Sequence, residues 1–482
     1  MNIVAPLPAA EEARARVLRI QTKLHQWATD DPDRRFADLY NLVYDSAVLV
    51  EAWARVKGNR GARSAGVDGR TAHHITAVVG EQVFLSELRD DLKARRFRPE
   101  PVREVMIPKP GGKRRRLGIA TVRDRVVQAA LKTVLEPILE ADFKPCSYGF
   151  RPGRRVQDAI AEVHFFASHS YEWVVEGDIK ACFDEISHVG VVDRLRARIE
   201  DKRVLSLVKA FLKAGILDED GSVRHPITGT PQGGILSPLL SNLALSVLDE
   251  HFVAAWESFG SNHERRTRRS KGLANYRLVR YADDWVVLVA GTRTDAEVLR
   301  DEAAAVLSTM GLRLSLEKTR IAHIDEGFDF LGRRIQRHRK RGTKRQHVYT
   351  YPSKAALAAI KAKVRAGTPR STSQSLADLC DRLNPALRGW TGHFRHDVSK
   401  ATFSYLRAFL WRRVVGWLRK KHPRANWKQL RWRYLPGWWP TEGEKTLFNP
   451  SSVPVSRYRY RGDRIPSPWV IRTETTPRSA TG

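Results

Sequence analysis

Apolar residues recur along this chain at two rhythms. Spacings of three and four at Val17, Leu18, Leu24 and Trp27, then at Leu39, Leu42, Val43, Val50 and Trp53, predict helices over 11–27 and 36–57. Leu85, Leu88 and Leu92 predict another, and Val126, Val127, Ala130, Val134 and Leu135 place a helix over 125–140 that Pro137 interrupts. Ser237-Pro238 has the form of an N-cap with proline at the first helical position, opening a helix through Leu239, Leu240, Leu243 and Leu248. Phe403, Leu406, Leu410, Val414 and Trp417 form one apolar stripe with Arg407, Arg412, Arg413, Arg419, Lys420 and Lys421 around it.

The second rhythm is that of strands. Val105 to Ile119 reads as strand, Gly-Gly turn, strand, and Trp173 to Gly177 is an apolar run that delivers Asp178 at its end. Tyr276 to Tyr281 and Trp285 to Ala290 flank a three-residue polar tip and predict a β-hairpin carrying Asp283 and Asp284. A polar turn would account for that Asp-Asp pair alone, and an N-cap for Asp178. If the strand ending at Asp178 pairs beside the hairpin, three carboxylates converge, enough to hold two Mg²⁺ ions of the kind that clamp attacking and leaving oxygens in phosphoryl transfer. Lys109 and Arg115, on the two arms of the cationic hairpin, would meet one anionic group the size of a nucleoside triphosphate. Gly233 and Gly234 leave bare backbone where a base or sugar could approach, with Gln232 supplying an amide.

Charge narrows the partners. Lys and Arg total 84 against 53 acidic residues, a net +31 over 482 residues, so nucleic acid is the default partner. A membrane is the competing polyanion, but no run of about 18 apolar residues exists to span one. The early Glu11 and Glu12 speak against a signal peptide, which places the chain in the cytoplasm. Cys146, Cys182 and Cys380 are too few for a disulfide framework or zinc cluster and read as core. Arg60 and Arg63 lie in a glycine-rich stretch over 57–69, either a phosphate-binding loop or a linker. Arg151 belongs to the Gly/Pro-punctuated loop 147–155, and residues 260–272 read as a cationic, Gly-bounded loop. Residues 333–345 hold eight Lys or Arg among 13, including Arg333, Arg334, Arg339 and Lys340, too dense for a salt-bridge face. Seven of the 13 Trp fall between 390 and 439; Trp411 and Trp417 read as core, while Trp427, Trp432, Trp438 and Trp439 could stack on bases.

Phe183 five residues after Asp178, the Pro231-Gln-Gly-Gly-Ile-Leu-Ser-Pro238 loop and Tyr281-Ala-Asp-Asp284 stand in the order and spacing of reverse transcriptases, most closely resembling group II intron-encoded proteins. Asn59–Gly69, Ile107–Gln128, Tyr148–Arg154, Gly311–Thr319 and Phe328–Gly332 resemble further blocks of that family. Ala120 and Glu185 depart from it, standing where Pro and Asn are common. The resemblance implies an α+β right-hand polymerase, fingers and palm with an antiparallel catalytic sheet, followed by an all-helical thumb or maturase domain. It divides the chain into an N-terminal extension (1–75), fingers and palm (76–340), thumb/maturase (341–440) and a basic tail (441–482). That tail reads either as a reduced DNA-binding segment or as a disordered terminus, without the HNH nuclease of many relatives.

Position by position, the resemblance implies metal binding by Asp178, Asp283 and Asp284, with Mn²⁺ as a substitute for Mg²⁺, and triphosphate binding by Lys109 and Arg115. Phe183 would be the gate against a ribose 2′-hydroxyl, Gln232 would lie against the nascent base pair, and Lys318 near the nucleotide or primer end. Arg60, Arg63, Arg151, Arg333, Arg334, Arg339, Lys340, Arg412 and Arg413 are the nucleic-acid contacts expected. The implied activity is RNA-directed DNA synthesis from dNTPs on a DNA primer, with intron or template RNA as partner and help in splicing that RNA; the oligomeric state stays open. A host-adopted relative in defence or a CRISPR locus, and a splicing factor with a vestigial polymerase site, are the alternatives.

Overall fold

The computed structural model describes residues 7–108, 114–218, 220–340, 342–369 and 371–470. Its N-terminal helix Ala10–Asp30 packs with helices Ser46–Gly58 and Val122–Asp142 in the largest core. The helix expected over 36–57 is broken: a four-residue turn Tyr40–Val43 comes first, and Asp45, whose carboxylate accepts from the Ala47 N–H, restarts it. Pro137, in contrast, interrupts nothing. Proline cannot donate to the carbonyl four residues back, Thr133, and the Gln21 side chain from the first helix supplies that donor at 2.9 Å, so Val122–Asp142 runs unbroken.

The central sheet is antiparallel, in the order β6 (Asn275–Tyr281), β7 (Asp284–Ala290), β3 (Trp173–Gly177), β8 (Arg320–His323). Alternation sends Val175, Leu278, Val287 and Val289 into the core shared with helices Ser237–Ser258 and Arg293–Ser308. Val174, Val279, Val286 and Leu288 face the other way, into a core shared with helix Val156–Ala167. A second sheet has the order β2 (Arg114–Ile119), β1 (Val102–Pro108), β4 (Ile216–Leu217), β5 (Val223–Arg224). A third joins β9 (Phe328–Phe330), β10 (Arg333–Arg339) and β11 (Gln346–Pro352).

Helices Lys354–Gly367, Leu376–Phe394, Lys400–Lys421 and Trp427–Tyr434 enclose a separate core of Ile360, Val364, Leu383, Leu406, Leu410 and Trp417. Two expectations change here. The cationic stretch 260–272 contains a helix, Asn262–Ser270, begun by a Ser261–Glu264 capping box; Arg265 and Arg268 lie over the rings of Trp256 and Phe259 at 3.9 and 4.3 Å. The tail up to Val470 is a strap: Tyr458 and Arg461 bind Asp158, Tyr460 stacks on Phe165 at 4.7 Å, and buried Trp469 donates to Gln21 at 3.3 Å. No described helix is long and apolar enough to cross a membrane.

Candidate active site

The register of the central sheet gathers the acids. Gly177 stands opposite Trp285, so the next positions outward, Asp178 and Asp284, leave the sheet at the same end. Gly177 is required there, because a Cβ would fall 2.0 Å from the Trp285 ring. Tyr281 pairs with Asp284, which tightens the expected three-residue tip to Ala282 and Asp283, with Ala282 in the left-handed region at φ 57°. The Asp284 side chain is exposed at the mouth of the turn, yet partial desolvation by the protein around it, reinforced by the charges of Asp283 and Asp178 and opposed by Lys318, pushes its carboxyl up to about 6. Asp178 is held by Lys318 at 2.8 Å.

Among the described residues, no three His, Cys, Asp or Glu side chains stand close enough together to hold an ion as they are, Asp178 being turned to Lys318. The donor chemistry nevertheless fits a hard divalent cation: oxygen ligands only, from like charges whose repulsion a cation relieves. Cys182 is no ligand, since burial, with the charge of Asp283 next, raises its thiol to about 12.

Sequence reasoning missed the support beneath this turn. Arg280 is fully buried and donates to Asp249 at 2.7 Å, Asn242 at 3.0 Å, Ser147 at 2.7 Å and the carbonyl of Ala282 at 2.9 Å. Asn242 in turn donates to the Gly149 carbonyl, and a Cβ on Gly149 would fall 2.2 Å from the Ala282 nitrogen. The segment 146–151 is therefore pressed against the Ala282–Asp283 turn. The available signal was two arginines, Arg277 and Arg280, in a strand read as part of the central sheet. Arg151, expected on nucleic acid, is instead buried in this support, bound to Glu140 and the carbonyls of Lys144 and Ser147.

Half-buried Phe183 accepts the Thr230 N–H at 2.6 Å, and Gly229, at φ 85°, comes too close to the Asp184 backbone for any Cβ. The 228–234 loop thus leans on the segment that follows Asp178. Ser237 does not cap its helix: its hydroxyl donates to the Pro231 carbonyl and accepts from Thr230, which ties the loop down. Gln232 receives the Gly118 N–H on its backbone carbonyl at 2.8 Å, while its side-chain Oε1 is buried without a hydrogen-bond partner among the described residues. Arg116, Gly118, Thr230 and Gln232 line a cleft of about 140 Å³ that none of the three acids borders. Arg115, on the opposite face of β2 by alternation, is exposed; Lys109 lies outside the described residues.

The remaining cations divide. Arg60 and Arg63 are exposed on a loop that is no linker, because buried Arg125 donates to the carbonyls of Gly61 and Ser64. Arg333 is buried against Asp397 and the His393 carbonyl, so its expected role on nucleic acid is withdrawn, and the density of cations over 333–345 does include ion pairs. Arg334 is shared with Asp329, and Arg413 is occupied by the Thr368 hydroxyl and carbonyl. Arg339, Lys340 and Arg412 are exposed. Trp417 is buried and Trp411 donates to the Trp438 carbonyl, whereas Trp432, 87% exposed, stands in solvent and Trp427 and Trp438, near each other, are half exposed.

Residues 107–335 match the family described as reverse transcriptase (RNA-dependent DNA polymerase), and residues 357–435 match the group II intron, maturase-specific domain. Protein YkfC of Escherichia coli (strain K12) is 37% identical over 374 residues, 72% of this chain and 97% of that protein. The uncharacterized 91 kDa protein in cob intron of Schizosaccharomyces pombe is 32% identical, across 66% of this chain and 45% of its own length. The group II intron-encoded protein LtrA of Lactococcus lactis subsp. cremoris is 29% identical, across 68% of this chain and 61% of its own length.

Proposed function

The chain belongs to the reverse transcriptases that carry a group II intron maturase-specific domain, and on that premise we propose how its residues serve RNA-directed DNA polymerisation. The sheet β2-β1-β4-β5 serves as fingers, the sheet β6-β7-β3-β8 as palm, and the four helices over 354–434 as thumb. Asp178, Asp283 and Asp284 would hold Mg²⁺, with Mn²⁺ as a substitute. Bound there, two such ions would lower the pKa of a primer 3′-hydroxyl and neutralise departing pyrophosphate. The protein's own part is positional. The Arg280–Asp249 pair fixes the turn against the mutual repulsion of its acids, and Lys318 steadies Asp178.

Exposed Arg115, with Lys109, meets the dNTP triphosphate; Phe183 walls off the ribose 2′ position; Gln232 offers its unpartnered amide oxygen to the incoming pair. Arg60, Arg63 and Arg412, together with Trp427, Trp432 and Trp438, grip template or intron RNA. LtrA is named as a group II intron-encoded protein, and we extend to this chain the role of assisting such an intron.

The observation that carries the reading is the register that brings Asp178 and Asp284 out at one end of the sheet, next to Asp283. The test is Mg²⁺-dependent extension of a DNA primer on an RNA template, wild type against Asp283→Asn. Extension should fall by three orders of magnitude or more, on the order of 4 kcal/mol, with RNA affinity retained. A folded, RNA-binding wild type that extends nothing would sink it.

A further inference from the structure

We propose that the outward face of the β10–β11 ribbon is a docking surface for single-stranded RNA, apart from the polymerase site. The register pairs Arg334 with Tyr351, Gln336 with Tyr349, and His338 with His347. Residues paired across an antiparallel ribbon share a face, so these six lie together. The intervening pairs point inward, where Arg333, Ile335, Val348 and Thr350 are buried.

The outward face is polar and, beyond the Arg334–Asp329 pair at its base, carries cations without acids. Residues 333–352 contain no Asp or Glu. Its rings are braced into a tiled surface: His338 lies 6.2 Å from Tyr349 and 6.3 Å from Tyr351, whose hydroxyl donates to Gln336 at 3.2 Å. Toward the tip, Lys340, Lys344 and Arg345 are exposed, and among the described residues none has an acidic partner within ion-pair distance. Planar rings beside uncompensated cations match unpaired bases joined by phosphates. A strand edge blunted for solubility would need the lysines alone, not the Tyr and His ladder.

The ribbon is bolted far from the chemistry. Arg337 binds Asp325 at 2.6 Å and also Glu172, just before β3, six residues from Asp178, a separation of about 20 Å along a strand. An RNA strand held here is therefore gripped without touching the reacting atoms.

The experiment is anisotropy of a labelled single-stranded RNA on the full chain at several salt concentrations, with an RNA–DNA duplex of equal length beside it. His338→Ala/Tyr349→Ala removes rings, and Lys344→Gln/Arg345→Gln removes charge at an exposed tip that no core residue rests on. Each pair should weaken single-strand binding about tenfold at unchanged Tm, and the charge pair should reduce the log–log salt slope by about 1.4. Affinity unchanged within twofold in both folded variants overturns the proposal, as does a loss confined to the duplex. Primer extension by the same preparations tests the polymerase reading separately, since the anisotropy result stands whether or not extension occurs.

Discussion

The turn at Ala282–Asp283 and the helix Trp427–Tyr434 stand at opposite ends of a design choice. Under the turn, one arginine ties four groups together: Arg280 donates to Asp249, Asn242, Ser147 and Ala282. On the helix, Trp432 is left in water and Trp427 half so, and Trp438 just beyond it is half exposed under Arg431, stacked 4.0 Å away. Carboxylates that repel one another stay together only if the backbone carrying them cannot yield. A surface that must later shed water onto a flexible polyanion gains from the reverse, large side chains kept uncommitted.

The sharpest way to break the contrast is to remove a partner on the buried side. Asp249→Ala strands the Arg280 charge in the core and should cost about 3–5 kcal/mol in denaturant unfolding. Extension by the surviving folded fraction should fall in kcat with little change in KM.

A buried carboxylate without an arginine sharpens the same half. Asp124 is 2% exposed, and burial, offset in part by the Glu100 N–H and the Thr121 hydroxyl, raises it to about 7. A folded pKa above the unfolded one favours folding while the group is protonated, and that contribution is lost as pH rises from about 4 through 7, with an upper bound on the order of 4 kcal/mol. Asp124→Asn should abolish this slope, so its Tm advantage over wild type should grow across that window.

On the exposed side, Trp432→Ala should leave stability within about 0.5 kcal/mol and weaken RNA binding by about 1–3 kcal/mol. The smallest effect belongs to Gln21→Ala, which leaves the Thr133 carbonyl without its donor and should cost about 1–2 kcal/mol in thermal unfolding.

Much of the buried half was legible. The apolar, β-favouring runs beside Asp178 and Asp283 gave the strands, and the register sends the acids expected at their ends out together, across a turn one residue shorter than expected. What could not be read was which arginines are spent. Arg151, Arg280 and Arg333 differ from Arg60 or Arg412 through acidic partners 11 to 64 residues away, Glu140, Asp249 and Asp397, which no local spacing reveals. The Pro137 helix failed for the same reason: its missing donor is replaced from 112 residues upstream. The Asn262–Ser270 helix was hidden by its cations, although the Ser261–Glu264 pair was a capping signal in plain view.

The strap from Ser456 to Trp469 changes what kind of attachment the four-helix unit has. The chain enters that unit beside the Arg333–Asp397 pair and, after leaving it, is fastened again at Asp158, at Arg277 through Asp463, and at Gln21 on the first helix. A body moored at two separated points cannot swing freely as on a hinge; it can only rock about the line joining its moorings. Trp469, lying 5.6 Å from the His25 ring, also joins the last described segment to the first long helix, so that the stretch from His25 to Trp469 closes mechanically into a loop without a covalent link.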